Sequence, residues 1–129
     1  MMPFRWYAMA VAALGIALIG QPARAEGDAA KGERVFNSQC KLCHTLDKGG
    51  RSQVGPNMHG LFGRKAGTME GFEFSDAMKN SGIVWNETTI AEYSKDPKGR
   101  IPGNKMVFVG LKRQDQIDDV IAYLKKATQ

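Results

Sequence analysis

Two thiols three positions apart with a histidine directly behind them, Cys40-Lys41-Leu42-Cys43-His44, are the residues of this chain whose types and spacing could do chemistry. Thiols at that separation can each form a thioether with one of two vinyl groups on neighbouring edges of a porphyrin, and His44 then falls beneath the iron. Tethering through Cys43 makes the imidazole a nearly intramolecular ligand, whose loss requires local unfolding as well as bond rupture. The five residues therefore read as the attachment site of a c-type haem. The same pair could serve as a redox dithiol or as half of a zinc site. Zinc would need two further ligands, and the chain has no third cysteine and only His44 and His59 as histidines. A thioredoxin-like unit wants strand-helix-strand runs of Val and Ile around the pair, whereas the flanking residues are Asn37, Ser38, Gln39, Lys41 and Thr45.

Such a motif must be carried by elements that can hold a ring, and helical punctuation is clear in three places. Asp28 is placed to cap a helix running to about Ser38, in which Gly32, Val35, Phe36 and Cys40 follow helical spacing. Glycine inside a helix costs about 1 kcal/mol relative to alanine, so Gly32 predicts the close approach of another backbone. Asn86 can cap a second helix that ends before Pro97, with Trp85 and Ile90 as a hydrophobic staple across its first turn. In the last helix Ile117, Val120, Ile121 and Leu124 line one face, and Asp115, Asp118, Lys125 and Lys126 occupy others. That apolar face is expected to pack on Gly32. Between the helices, Gly49-Gly50, Gly55-Pro56, Gly60, Gly63 and Gly67 leave no room for a long helix or strand.

The first 25 residues read as an export signal. Arg5 supplies a positive start, Trp6 to Gly20 is an apolar run of 15 residues, and Ala23-Arg24-Ala25 has small residues where a cleavage site needs them. A retained anchor would want about 18 to 20 apolar residues to span a bilayer. The expectation is a signal peptide over 1–25, cleaved after Ala25, and one domain over 26–129 in the periplasm with no stable membrane insertion. That domain of 104 residues buries little core by itself, and a haem would supply the missing apolar mass. Both thiols are then committed to the cofactor and no disulfide is left to form. Cleavage also lowers the balance from 18 basic against 13 acidic residues to 16 against 13. Two ionised propionates would nearly cancel the remainder, so electrostatic steering has to come from a local patch. DNA binding needs a larger basic excess, and a nucleic-acid partner is excluded.

Over essentially all of Glu26 to Gln129 the chain resembles the small class I c-type cytochromes, namely mitochondrial cytochrome c and its soluble bacterial relatives. The stretches that carry the likeness are Cys40 to His44, the run Gly55-Pro56-Asn57-Met58-His59-Gly60-Leu61-Phe62-Gly63-Arg64, Trp85, Tyr93, Ile101-Pro102-Gly103-Asn104-Lys105-Met106 and Ala122-Tyr123-Leu124-Lys125-Lys126. The resemblance implies an all-α fold of three to five helices wrapped around one covalently attached haem c per chain, with the N- and C-terminal helices packed together. It implies Met106 as the second axial ligand opposite His44. A soft neutral thioether favours ferrous iron, and among Met58, Met69, Met78 and Met106 only the last follows a Pro-Gly turn able to carry a loop across the haem. Further implied contacts are the Pro56 carbonyl on the His44 ring proton, Arg64 and Trp85 on a propionate, the Tyr93 hydroxyl near the methionine sulfur, and Phe108 at the haem edge.

Departures from the mitochondrial pattern put the tuning of the haem in question. Phe74 stands where that pattern has a propionate-bonding tyrosine, Met78 where it has an asparagine bonding an internal water, and Ser52 where histidine is frequent. His59 is expected at the surface. Lys41, Arg51, Lys98, Lys105, Lys112 and Arg113 could ring the haem edge, interrupted by Gln39 and Leu42, and draw in the acidic docking surfaces of redox partners. The partners the family implies are a quinol-oxidising bc complex, a terminal oxidase, a photosynthetic reaction centre, a dehydrogenase or a peroxidase. With two protein ligands no iron site stays open for a substrate, so the reading is a monomeric one-electron carrier and not an enzyme. Two other classes stand beside it: a haem-based gas sensor or peroxidase-like enzyme with a labile Met106, and a structural or thiol-redox module.

Overall fold

The computed structural model describes residues 26–129, and the signal peptide expected over 1–25 lies outside them. Five helices follow in order: α1 (Ala29–Gln39), α2 (Asp76–Lys79), α3 (Glu87–Lys95), α4 (Pro97–Arg100) and α5 (Gln114–Ala127). Among the described residues the only β pairing is a single bridge between Lys65 and Val84. This is the all-α architecture, with α1 packed on α5.

Each cap has a local cause. Asp28 accepts the backbone N–H of Lys31 at the start of α1, and Ser75 accepts that of Met78 at the start of α2. Asn86 and Thr89 cap each other at the start of α3, a reciprocal box in which each side chain satisfies the other's free N–H. Pro97 opens α4, where a missing N–H costs nothing, and Asp96 caps it through Gly99. No side chain caps α5. Its position comes from burial of Ile117, Val120, Ile121 and Leu124, the four residues whose spacing marked an apolar face.

The α1–α5 crossing is close. A Cβ on Gly32 would run into the main-chain carbonyl of Asp119 and the Tyr123 side chain, so the helix-weakening glycine buys the approach of α5. The Asp28 N–H donates to the Asp119 carboxylate at 2.7 Å, and the Phe36 and Tyr123 rings lie 5.6 Å apart, tilted by 50°. The core runs from this crossing through Leu61, Met78, Trp85 and Ile90 to Leu111, and much of it faces a single cavity. Short helices α2 and α4 punctuate the long connections, which otherwise stay irregular as the glycines require.

Candidate functional site

The cavity, of about 220 Å³, is lined mostly by apolar side chains together with Cys40, Cys43, His44 and Met106. Cys40 terminates α1: its N–H donates to the Phe36 carbonyl at 2.8 Å, and one further turn brings the N–H groups of Cys43 and His44 back to the Cys40 carbonyl at 3.0 Å each. The motif is thus wound on the end of a helix that α5 clamps. Neither thiol is in a disulfide. Burial pushes the Cys40 thiol up to about 11, with the neighbouring Cys43 adding to the shift. A nucleophilic dithiol needs a lowered pKa, so the thiol-redox alternative has the wrong electrostatics.

His44 is fixed from two sides. Its Nδ1 lies 2.8 Å from the Pro56 carbonyl oxygen, which accepts the ring proton and leaves Nε2 as the free lone pair. Gly55 presses on the ring: a Cβ there would stand 2.5 Å from His44 Cε1. Burial holds the imidazole below its ordinary pKa, against the opposing pull of the Pro56 bond, so the ring is neutral and able to bind a metal. The loop behind it turns about Asn57, which is 1% exposed. Asn57 donates from its amide nitrogen to Thr45 Oγ1 and the Asp47 carbonyl, accepts the His59 N–H, and gives its own N–H to Ser52 Oγ.

Met106 arrives from the other end of the chain, in the loop between α4 and α5, half-buried at the same cavity. Phe108 and Tyr93 line the cavity as well, and burial raises the Tyr93 hydroxyl to about 12. That hydroxyl donates to Asn104 Oδ1 at 3.3 Å. Trp85 packs on Tyr93 with ring centres 5.3 Å apart. Arg64 also borders the cavity, and its guanidinium donates to the His59 carbonyl. All nine residues singled out in the sequence, Pro56 included, meet at this one space.

Other placements differ from expectation. His59, expected at the surface, is half-buried, with its N–H given to Asn57 Oδ1 and its carbonyl accepting from Arg64. Phe74 and Met78 both face the cavity, so the two polar groups that they replace are exchanged for apolar lining. Ser52 takes up the Asn57 N–H at 3.0 Å. Sequence reasoning missed the wedge at Gly55 and the two buried asparagines, Asn57 and Asn104. An asparagine directly after a Gly-Pro or Pro-Gly pair was the available signal, although the burial and the partners of both are set by tertiary structure.

The cytochrome c family model matches residues 29–128. The chain belongs to the cytochrome c family. It is 53% identical over 105 residues to cytochrome c2 of Blastochloris viridis, covering 81% of each chain. To cytochrome c of Chlamydomonas reinhardtii it is 51% identical over 102 residues, 79% of this chain and 91% of that one. To cytochrome c of Gibberella zeae it is 49% identical over 105 residues, 81% of this chain and 99% of that one. As a family member it is an electron carrier, not an enzyme, and it carries one covalently attached haem c, with Cys40 and Cys43 in the attachment position. The cavity fits that group: an apolar lining, two thiols on one rim, a neutral imidazole with its distal nitrogen free, and a thioether reaching the same space. No described helix is long and apolar enough to cross a membrane.

Proposed function

We propose that this cytochrome is exported, works as a monomer in the periplasm, and shuttles single electrons through a six-coordinate haem whose axial ligands are His44 and Met106. Met58, Met69, Met78 and Met106 all line the cavity with His44, whose Nδ1 is committed to Pro56 at 2.8 Å, and the observation that carries the assignment to Met106 is its place in the loop that follows the Pro102-Gly103 turn. Held there, the haem supplies a one-electron ferric/ferrous couple. The chain supplies the rest: His44 is oriented by Pro56 and Gly55, Met106 brings a ligand that favours the reduced state, and the apolar lining keeps water off the iron. Arg64 and Trp85 are assigned to the propionates and Phe108 to the haem edge; Tyr93 is assigned a place near the methionine sulfur, with its one hydroxyl proton given to Asn104 Oδ1. Visible spectra of the two oxidation states test the ligation. Oxidised protein should show the weak red band of methionine sulfur on ferric iron, colour should survive denaturation, and ferrous protein should ignore carbon monoxide. An absent red band with carbon monoxide binding would assign an open iron site instead.

Partner docking is assigned to the mouth of the cavity. Val54 and Val107 line it while 75% and 95% exposed, and Leu42, between the two cysteines, is 84% exposed. Lys41, Arg51, Lys98, Lys105, Lys112 and Arg113 are all exposed. Of these, Lys105 borders the cavity, and an apolar mouth with exposed cations on the same chain suits redox partners with acidic docking surfaces, such as a quinol-oxidising bc complex, a terminal oxidase or a photosynthetic reaction centre. Electron transfer should then slow as salt is raised past about 0.1 M, where screening sets in beyond about 10 Å. A flat salt profile would assign the contact to the apolar centre alone.

A further inference from the structure

We propose that Asn104 is the positioning residue for the sixth ligand: its carboxamide sets the register of the Met106 loop and so determines how readily Met106 leaves the iron. The inference rests on the reading of Met106 as iron ligand. Asn104 is 4% exposed, one of three buried polar residues among those described. Its Oδ1 accepts the backbone N–H of Met106 at 2.8 Å and the Tyr93 hydroxyl at 3.3 Å. Its Nδ2 donates to the carbonyls of Pro97 and Ile101, each at 2.8 Å. The amide orientation is unambiguous, because an N–H can be met only by the oxygen end and two carbonyls only by the nitrogen end.

Every hydrogen-bonding position of this side chain is therefore used, and its partners lie in different parts of the loop. Pro97 and Ile101 bracket α4, Tyr93 is on α3, and Met106 is the ligand itself. The main chain of Asn104 is held too, its carbonyl by Lys98 Nζ at 2.8 Å and its N–H by the Ile101 carbonyl at 3.2 Å. No covalent bond ties this loop to the cofactor. The loop's register at Met106 accordingly depends on one amide that binds the ligand's own N–H to a helix start. Removing it leaves the Met106 N–H without its acceptor and takes one of two hydrogen bonds from each of the Pro97 and Ile101 carbonyls, which favours the open loop by a factor of about ten or more.

Ferric holoprotein titrated with imidazole, which competes with Met106 for the iron, tests this. Asn104→Ala should bind imidazole about tenfold more tightly than the natural chain, and Asn104→Ser, which keeps an acceptor for Met106 and one donor, should fall between them. Ile121→Ala, buried in the α5 face but not part of the cavity lining, is the control: it should lower the denaturant midpoint and leave the imidazole affinity unchanged. Should Asn104→Ala yield no holoprotein, the Asn104→Ser shift decides. Imidazole affinities equal to the natural chain's in the Asn104 variants, or raised as much in Ile121→Ala, would overturn the proposal. A natural chain that lacks the red methionine band would instead overturn the ligand assignment on which it rests.

Discussion

The two walls of the cavity are held by the same kind of residue in different ways. On the His44 wall, Asn57 gathers Thr45, Asp47, Ser52 and His59, all within a dozen positions, and the ligand itself sits on the end of α1. On the Met106 wall, Asn104 gathers Tyr93 of α3, Pro97 and Ile101 at the two ends of the one-turn helix α4, and Met106, which lies in the loop beyond with no covalent tether. The first wall shares the α1–α5 packing, whereas the second is a loop closed largely by hydrogen bonds. Local opening free energies follow buried contact, so the Met106 wall should be the one that opens.

The strongest way to break that contrast is to delete the ligand of the Met106 wall. Met106→Ala should lower the reduction potential by an amount on the order of 0.1–0.3 V, within the about 0.8 V that axial ligands span, and admit carbon monoxide to ferrous iron. Voltammetry and a ferrous spectrum under the gas check it, and an unchanged potential would refute the ligand assignment. Next, Gly55→Ala pushes a methyl group to 2.5 Å from His44 Cε1. Overpacking of this kind should cost about 3 kcal/mol, read from the denaturant midpoint. A loss under about 0.5 kcal/mol would mean that the His44 wall yields as easily as its counterpart.

Asn57→Ala sharpens the contrast further. It should lower global stability by about 2 kcal/mol, as three side-chain hydrogen bonds are lost, yet leave imidazole affinity for ferric iron near that of the natural chain. Equal tightening in Asn57 and Asn104 variants would erase the difference between the walls. The smallest effect is expected from Tyr93→Phe, which loses the 3.3 Å bond to Asn104 and about 0.5–1 kcal/mol. The Tyr93 hydroxyl ionises at about 12 when folded but at 10.0 in its ordinary setting. The unfolded chain therefore sheds this proton first, and the stability it contributes, complete below pH 10.0, is lost as pH rises towards about 12. Phenylalanine should flatten that part of the pH–stability curve, as denaturation at several alkaline pH values would reveal.

Much of this was legible in the residues. Asp28, Asn86 and the 117, 120, 121, 124 spacing named the three longer helices because caps and periodicity act over a few positions. Helices α2 and α4, of four residues each, carry too little periodicity to register. Cys40 to His44 could be read because thioether formation and ligation depend on contiguous residues, and Met106 because a Pro-Gly turn precedes it. The half-burial of His59 escaped notice, and the Arg64 bond to its carbonyl is made only once the turn between them has formed.

What the sequence alone determined is local: where the haem attaches, which helices form and which faces they bury, since each depends on neighbours within one or two turns. Tertiary structure decided how the ligands are gripped. Gly55 becomes a wedge only because the chain folds back against His44, and Asn57 and Asn104 become clamps only because carbonyls from separate turns converge on them. A buried amide must satisfy all its hydrogen bonds, and the partners that do so are chosen by the path of the chain through space.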